Sequence, residues 1–249
     1  MRRILIEAPV FTVQAALQAA KCGIDRIELC ADFGEGGVTP SAGMLSFLKS
    51  TIDIPIFVMI RPRGGDFFYD TSELDIMEHD IRILDDLGAD GFVFGMLDAH
   101  GRIDKEACHR LIQAAGSKPC TFHRAFDVCQ NHEEALKDIV ALGFDRLLTS
   151  GGKANPGKGM GNLENWIGEF GDQIIIMPGG GLSLDHMDQL LALDELKEVH
   201  ASCKVYTASE VVYEHNQEEI KMSISPDHFY QRLTVDPELV AAFLRKINR

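Results

Sequence analysis

The chain has 249 residues, 45% of them hydrophobic, with a formal net charge of −14. That composition is ordinary for a soluble globular protein of one large domain or two small ones. The acidic surplus argues against a nucleic-acid partner, because backbone phosphates would be repelled, and no apolar run approaches the length of a membrane span.

Six cysteines (Cys22, Cys30, Cys108, Cys120, Cys129 and Cys203) are scattered and form no CxxC pair. They read as reduced thiols, and with a short apolar N-terminus broken by Glu7 they predict a cytoplasmic protein without a signal peptide.

Along the chain, residues 4–9 predict a strand and 12–22 a helix, with Thr12 as N-cap and Gly23 at its end. Residues 26–30 form a second strand. A glycine-rich loop (Gly34, Gly36, Gly37) leads through Thr39-Pro40-Ser41 into a helix ending near Ile52. Strand three covers 56–61 and helix three 73–87; strand four covers 91–97 and helix four 104–115. Strand five is read over 119–126, with a helix over 133–142 stopped by Gly143. Strand six covers 146–150, followed by a mobile glycine-rich loop and a short helix over 163–170. Strand seven covers 174–177 and its helix 184–196; strand eight covers 198–202. A polar, β-prone segment at 204–234 breaks the rhythm before a last helix over 237–247.

Eight strand–helix units in strict alternation predict an α/β fold, a single (β/α)8 TIM-type barrel over residues 1–249. A doubly wound open sheet is the competing architecture, though it usually has fewer strands.

A barrel of this kind carries its site at the C-terminal strand ends. Those ends are Glu7; Glu28 and Cys30; Arg61, Arg63 and Asp66; Gly95; His123, Arg124 and Asp127; Thr149 and Ser150; Gly179, Gly180 and Gly181; and His200, Ser202 and Cys203. Strand alternation puts Glu28 and Cys30 on one face, His123 with Thr121, and His200 with Ser202. Glu7, Glu28, Cys30, Arg61 and His123 can therefore share the barrel interior, either as a site or as a paired-charge layer of the core.

Glu7, Glu28, Arg61, His123 and Asp127 are the candidate catalytic residues. Arg63, Thr149, Ser150, Gly179, Gly180, Gly181, His200 and Ser202 are the candidates for gripping a ligand or phosphate, with Lys204 in support. Loops after strands seven and eight often bind phosphate through backbone N–H groups, though a glycine run also serves as a plain turn. The stretch from Gly152 to Gly159 nearly matches a Walker A loop, but Gly159 stands where a hydroxyl is needed, so no nucleotide cofactor is expected. Cys30 is the candidate metal ligand, since thiolate suits Cu(I).

Several motifs occur in order: Arg26-Ile27-Glu28-Leu29-Cys30; Glu35-Gly36-Gly37 with Thr39-Pro40-Ser41; the run from Val58 through Arg61-Pro62-Arg63-Gly64-Gly65-Asp66-Phe67; Thr121 to Asp127; Leu148-Thr149-Ser150-Gly151; and Met177-Pro178-Gly179-Gly180-Gly181. Together they resemble the CutC family of copper homeostasis proteins. The resemblance implies a cytoplasmic (β/α)8 barrel, a homo-oligomer (dimer or tetramer), and a part in copper tolerance, with copper bound through cysteine as the family's suggested chemistry. Two functions are thus expected: Cu(I) binding at Cys30, or an enzyme of the lyase, isomerase or hydrolase type acting on a small anionic metabolite, phosphorylated or not, with an indirect copper link. In the enzyme, Glu7 or Glu28 is the general base, His123 an acid or base, and Arg61 the anion clamp.

Overall fold

The computed structural model describes residues 3–215, 219–220 and 228–247. Eight parallel strands alternate with helices: β1 (Leu5–Val10), α1 (Val13–Lys21), β2 (Arg26–Leu29), α2 (Ala42–Lys49), β3 (Ile56–Met59), α3 (Thr71–Asp86), β4 (Gly91–Phe94), α4 (Lys105–Ala115), β5 (Cys120–Phe122), α5 (His132–Leu142), β6 (Arg146–Thr149), α6 (Pro156–Phe170), β7 (Ile175–Pro178), α7 (Leu184–Leu191) and β8 (Glu198–His200). The antiparallel pair β9 (Lys204–Ala208) and β10 (Gln231–Val235) then precedes α8 (Pro237–Ile247).

The hydrogen-bonded strand order is β7-β6-β5-β4-β3-β2-β1-β8, and β8 returns against β7, so the sheet nearly closes on itself. The (β/α)8 barrel is the fold of this chain. Local chemistry sets most of its boundaries. The side chains of Thr12, Asp70, Asp104 and Asn131 accept from the first backbone N–H groups of α1, α3, α4 and α5, the donors that a helix start leaves unpaired. After α5, Gly143 takes φ +85°, which a side chain would resist.

Two apolar clusters follow from strand alternation. The larger packs the outer strand faces against the helices. The smaller, Cys30, Phe57, Met59 and Val93, lies inside the barrel. Gly91 makes room for Phe57, whose ring atoms lie 2.7 Å from where a Cβ would stand.

Four expectations are corrected. Strand five ends at Phe122, because His123 caps a short 3-10 turn over Arg124–Val128 through its ring nitrogen. The supposed loop at 152–162 is helical from Pro156 onward: Asn155 caps it by accepting from Lys158, and packing overrides the low helix propensity of its glycines. Helix α7 stops at Leu191, five residues short of the expected end. The irregular segment contains the β9–β10 ribbon, anchored where Thr12 Oγ1 donates to the Leu233 carbonyl at 3.2 Å. Within that segment, residues 216–218 and 221–227 lie outside the described residues.

Candidate active site

The floor of the barrel is a paired-charge layer. Arg26 reaches both Glu7 and Glu198, and Arg146 Nε donates to Glu198 Oε2 at 3.1 Å. The two guanidinium carbons stand 4.5 and 5.2 Å from the Phe57 ring centre. Buried charge survives here because each member has a partner. Arg26 and Arg146 escaped the sequence reading because they open their strands, whereas site residues were sought at the strand ends.

Above this floor lies a cavity of about 410 Å³ at the C-terminal mouth. One wall carries Glu28 and His200, with His200 Nε2 at 2.9 Å from Glu28 Oε2 and 3.8 Å from Glu7 Oε1. Burial alone would lower the His200 pKa, but the hydrogen bond and charge of Glu28, with Glu7 behind it, hold the imidazole above its usual value. Glu7 is fully buried, and burial raises its carboxyl above the usual range despite Arg26.

His123 and Arg61 also line the cavity. Arg61 is tied to three backbone carbonyls, those of Glu35 at 2.6 Å, Gly37 at 2.9 Å and Gly65 at 2.8 Å. It has no carboxylate partner among the described residues. Phe67 packs against both, 4.9 Å from the His123 ring and 5.0 Å from the Arg61 guanidinium carbon. Burial, helped by the charge of Arg61, pushes the His123 pKa down to about 3, so the ring is neutral at physiological pH.

Gly180, Gly181, Ser202, Arg124 and Lys204 complete the mouth. Gly180, at φ +75°, leaves room for Arg124, whose guanidinium carbon is 2.5 Å from where a Cβ would sit. Lys204 rests on the Phe33 ring at 4.3 Å. Arg124 stands beside His123 in sequence, and the strand-end reading included it without assigning it a role.

Other expected residues stand outside the cavity. Asp127 is saturated: it accepts from Thr149 Oγ1 at 2.5 Å, Ser150 N at 3.0 Å, Ser150 Oγ at 2.9 Å, Gly152 N at 3.1 Å and Arg124 Nε at 2.7 Å. It organises the end of β6, and Thr149 and Ser150 serve it rather than the cavity. Arg63 is partly exposed and bound to Glu73 Oε1 at 2.5 Å. Gly179 packs under Leu148 and His200.

Cys30 is buried within the inner apolar cluster; burial, reinforced by Glu28 and Glu7, pushes its thiol well above the usual range. Among the described residues, the only group of three His, Cys, Asp or Glu side chains able to share an ion is Glu7, Glu28 and His200, with donor atoms within 4.8 Å of one another. That set offers oxygen and nitrogen. It contains no thiolate and does not fit a soft Cu(I) centre.

The geometry defines a (β/α)8 barrel with a pocket lined by buried carboxylate, imidazole and guanidinium groups at its C-terminal mouth. The CutC family profile matches residues 4–205. A human copper homeostasis protein cutC homolog is 39% identical over 230 residues, covering 92% of this chain and 84% of its own length. A CutC family protein from Klebsiella pneumoniae is 40% identical, with 98% of each chain covered. The CutC crystal structure from Streptococcus agalactiae superposes with a TM-score of 0.75 at 32% identity, covering 80% of this chain and 98% of that one. The chain belongs to the CutC family. An aldolase with a TM-score of 0.60 but 13% identity shares the fold alone.

Proposed function

We propose that the pocket binds a small anionic metabolite and acts on it by proton transfer, and that the copper association of the family is indirect. One observation carries this reading. Three buried side-chain atoms of residues lining the pocket lack a hydrogen-bond partner: Glu28 Oε1, Arg61 Nε and His123 Nε2. Native proteins pair nearly all such atoms, and a polar ligand in the cavity would supply the missing partners. The uncompensated Arg61, with Arg124 and Lys204 at the mouth, favours an anion. Glu28 and His200 form the proton-transfer pair, while Gly180 and Gly181 let the backbone approach an anionic group closely.

Two observations weigh against direct Cu(I) binding at Cys30: its thiol is held protonated by burial, and the chelating group beside it is hard. The six unpaired cysteines support a reducing compartment, the cytoplasm, as the place of action.

The test is a thermal-shift screen of small carboxylates and sugar phosphates, run on the parent protein and on Lys204→Met and Arg61→Met. At least one anion raises the melting temperature of the parent, by less in Lys204→Met and not at all in Arg61→Met. If no anionic compound stabilises the parent, this reading fails.

A further inference from the structure

The reading of the pocket as a proton-transfer site can be taken one step further, to the chemistry of the substrate. His123 Nδ1 accepts a hydrogen bond from the Ala125 backbone N–H at 3.2 Å. An accepting nitrogen carries no proton, so the neutral ring bears its hydrogen on Nε2. That N–H is buried and has no acceptor. Gly95 holds the ring in place by having no side chain: a Cβ there would stand 2.7 Å from Nδ1. Arg61 Nε is a second buried donor without an acceptor. Glu28 Oε1, lining the same cavity, is the reverse case, a buried acceptor without a donor. Donors wanting an oxygen and a base wanting a proton thus line one cavity sized for a small metabolite.

We propose that the substrate is a small α-hydroxy carbonyl compound with an anionic end, and that His123 and Arg61 hold its carbonyl oxygen while Glu28 removes the neighbouring proton. Glu28 Oε1 takes the proton from the carbon next to the carbonyl. The C–H electron pair becomes the C=C bond of an enolate, and the carbonyl π pair moves onto oxygen. His123 Nε2–H and the Arg61 cation stabilise the oxygen as its charge grows. A neutral imidazole suits this task, since it donates a hydrogen bond without surrendering its proton. Glu28 then returns the proton to the same carbon, or, as the hydroxyl hydrogen passes to the former carbonyl oxygen and its O–H electron pair forms the new C=O bond, to the former carbonyl carbon; no oxidant, reductant or cofactor is consumed. His200 positions Glu28 by holding Oε2, leaving Oε1 free.

The experiment follows C–H exchange by proton NMR in D2O, with dihydroxyacetone phosphate and erythrose 4-phosphate as probes. The parent protein exchanges at least one of them faster than buffer does. Glu28→Gln abolishes the exchange. His123→Ala lowers its kcat by about 10²–10³-fold, the usual loss for one oxyanion donor, with KM little changed. His123→Gln, whose amide can both accept from Ala125 and donate into the cavity, keeps a measurable part of the rate and serves if the alanine variant fails to fold. Exchange at the parental rate in a folded His123→Ala, or no exchange of any probe, overturns the proposal. Thermal shifts with the same probes separate the two readings. Arg61-dependent stabilisation without exchange leaves the binding pocket standing and removes only the enolisation; absence of both removes both.

Discussion

His200 Nε2 stands 2.9 Å from Glu28 Oε2, joining residues 172 apart in sequence into one buried pair. The barrel makes this contact by placing β8 and β2 on either side of β1, so that Glu7 lies opposite His200 in one register and Arg26 in the other.

That pair makes stability depend on pH. The folded His200 pKa lies above that of the unfolded imidazole, near 6.5, so protonation favours the folded state. This contribution is fully present below about pH 6.5 and is lost as pH rises through the folded value. Urea midpoints measured between pH 6 and 9 should therefore fall with rising pH, and Glu28→Gln should flatten the fall. A parent protein whose midpoint rises over that interval would contradict the pairing.

Arg26 neutralises two buried carboxylates at once. Arg26→Met strands Glu7 in the barrel floor and leaves Glu198 to Arg146 alone, and removing one partner of a buried pair costs about 3–5 kcal/mol. Urea unfolding measures it. Lys246→Met, which breaks the pair with the well-exposed Asp188, is the control and should cost less than about 1 kcal/mol.

Gly159 explains why the P-loop resemblance has no functional content. Its position is the first turns of α6, pressed on the end of β6, where a Cβ would run into the Ser150 carbonyl oxygen. Gly159→Ser would restore the hydroxyl of the nucleotide motif, yet it should destabilise the fold by about 1–3 kcal/mol through overpacking. Calorimetry should show the lowered melting temperature, and ATP with magnesium should not recover it.

Copper affords a direct comparison of Cys30 with its surroundings. In a Cu(I) competition titration of the reduced protein against a strong chelator, Cys30→Ser should match the parent. Stoichiometric binding that vanishes in Cys30→Ser would restore the thiolate reading and displace the indirect one.

Much of this protein is legible from local sequence, because the signals are local. Apolar runs ending in glycine or proline mark the strands, side chains such as Thr12 and Asp104 start the helices, and period-two alternation puts Glu28 and Cys30 on one face. Those rules yield the barrel and the strand-end residues of its pocket. They fail where a local preference is outvoted: Gly159 sits in a helix pressed against Ser150 and Gly151 just beyond β6, and His123 leaves the strand because its ring caps the next turn. What only the tertiary structure decides is pairing. Asp127 sits among the same strand-end residues as Glu28, yet five donors from Arg124, Thr149, Ser150 and Gly152 fill it, while Glu28 keeps one oxygen free. Sequence spacing carries no record of which carboxylate closure of the barrel satisfies and which it leaves exposed to a ligand, since that depends on strand register and on chain segments more than a hundred residues away.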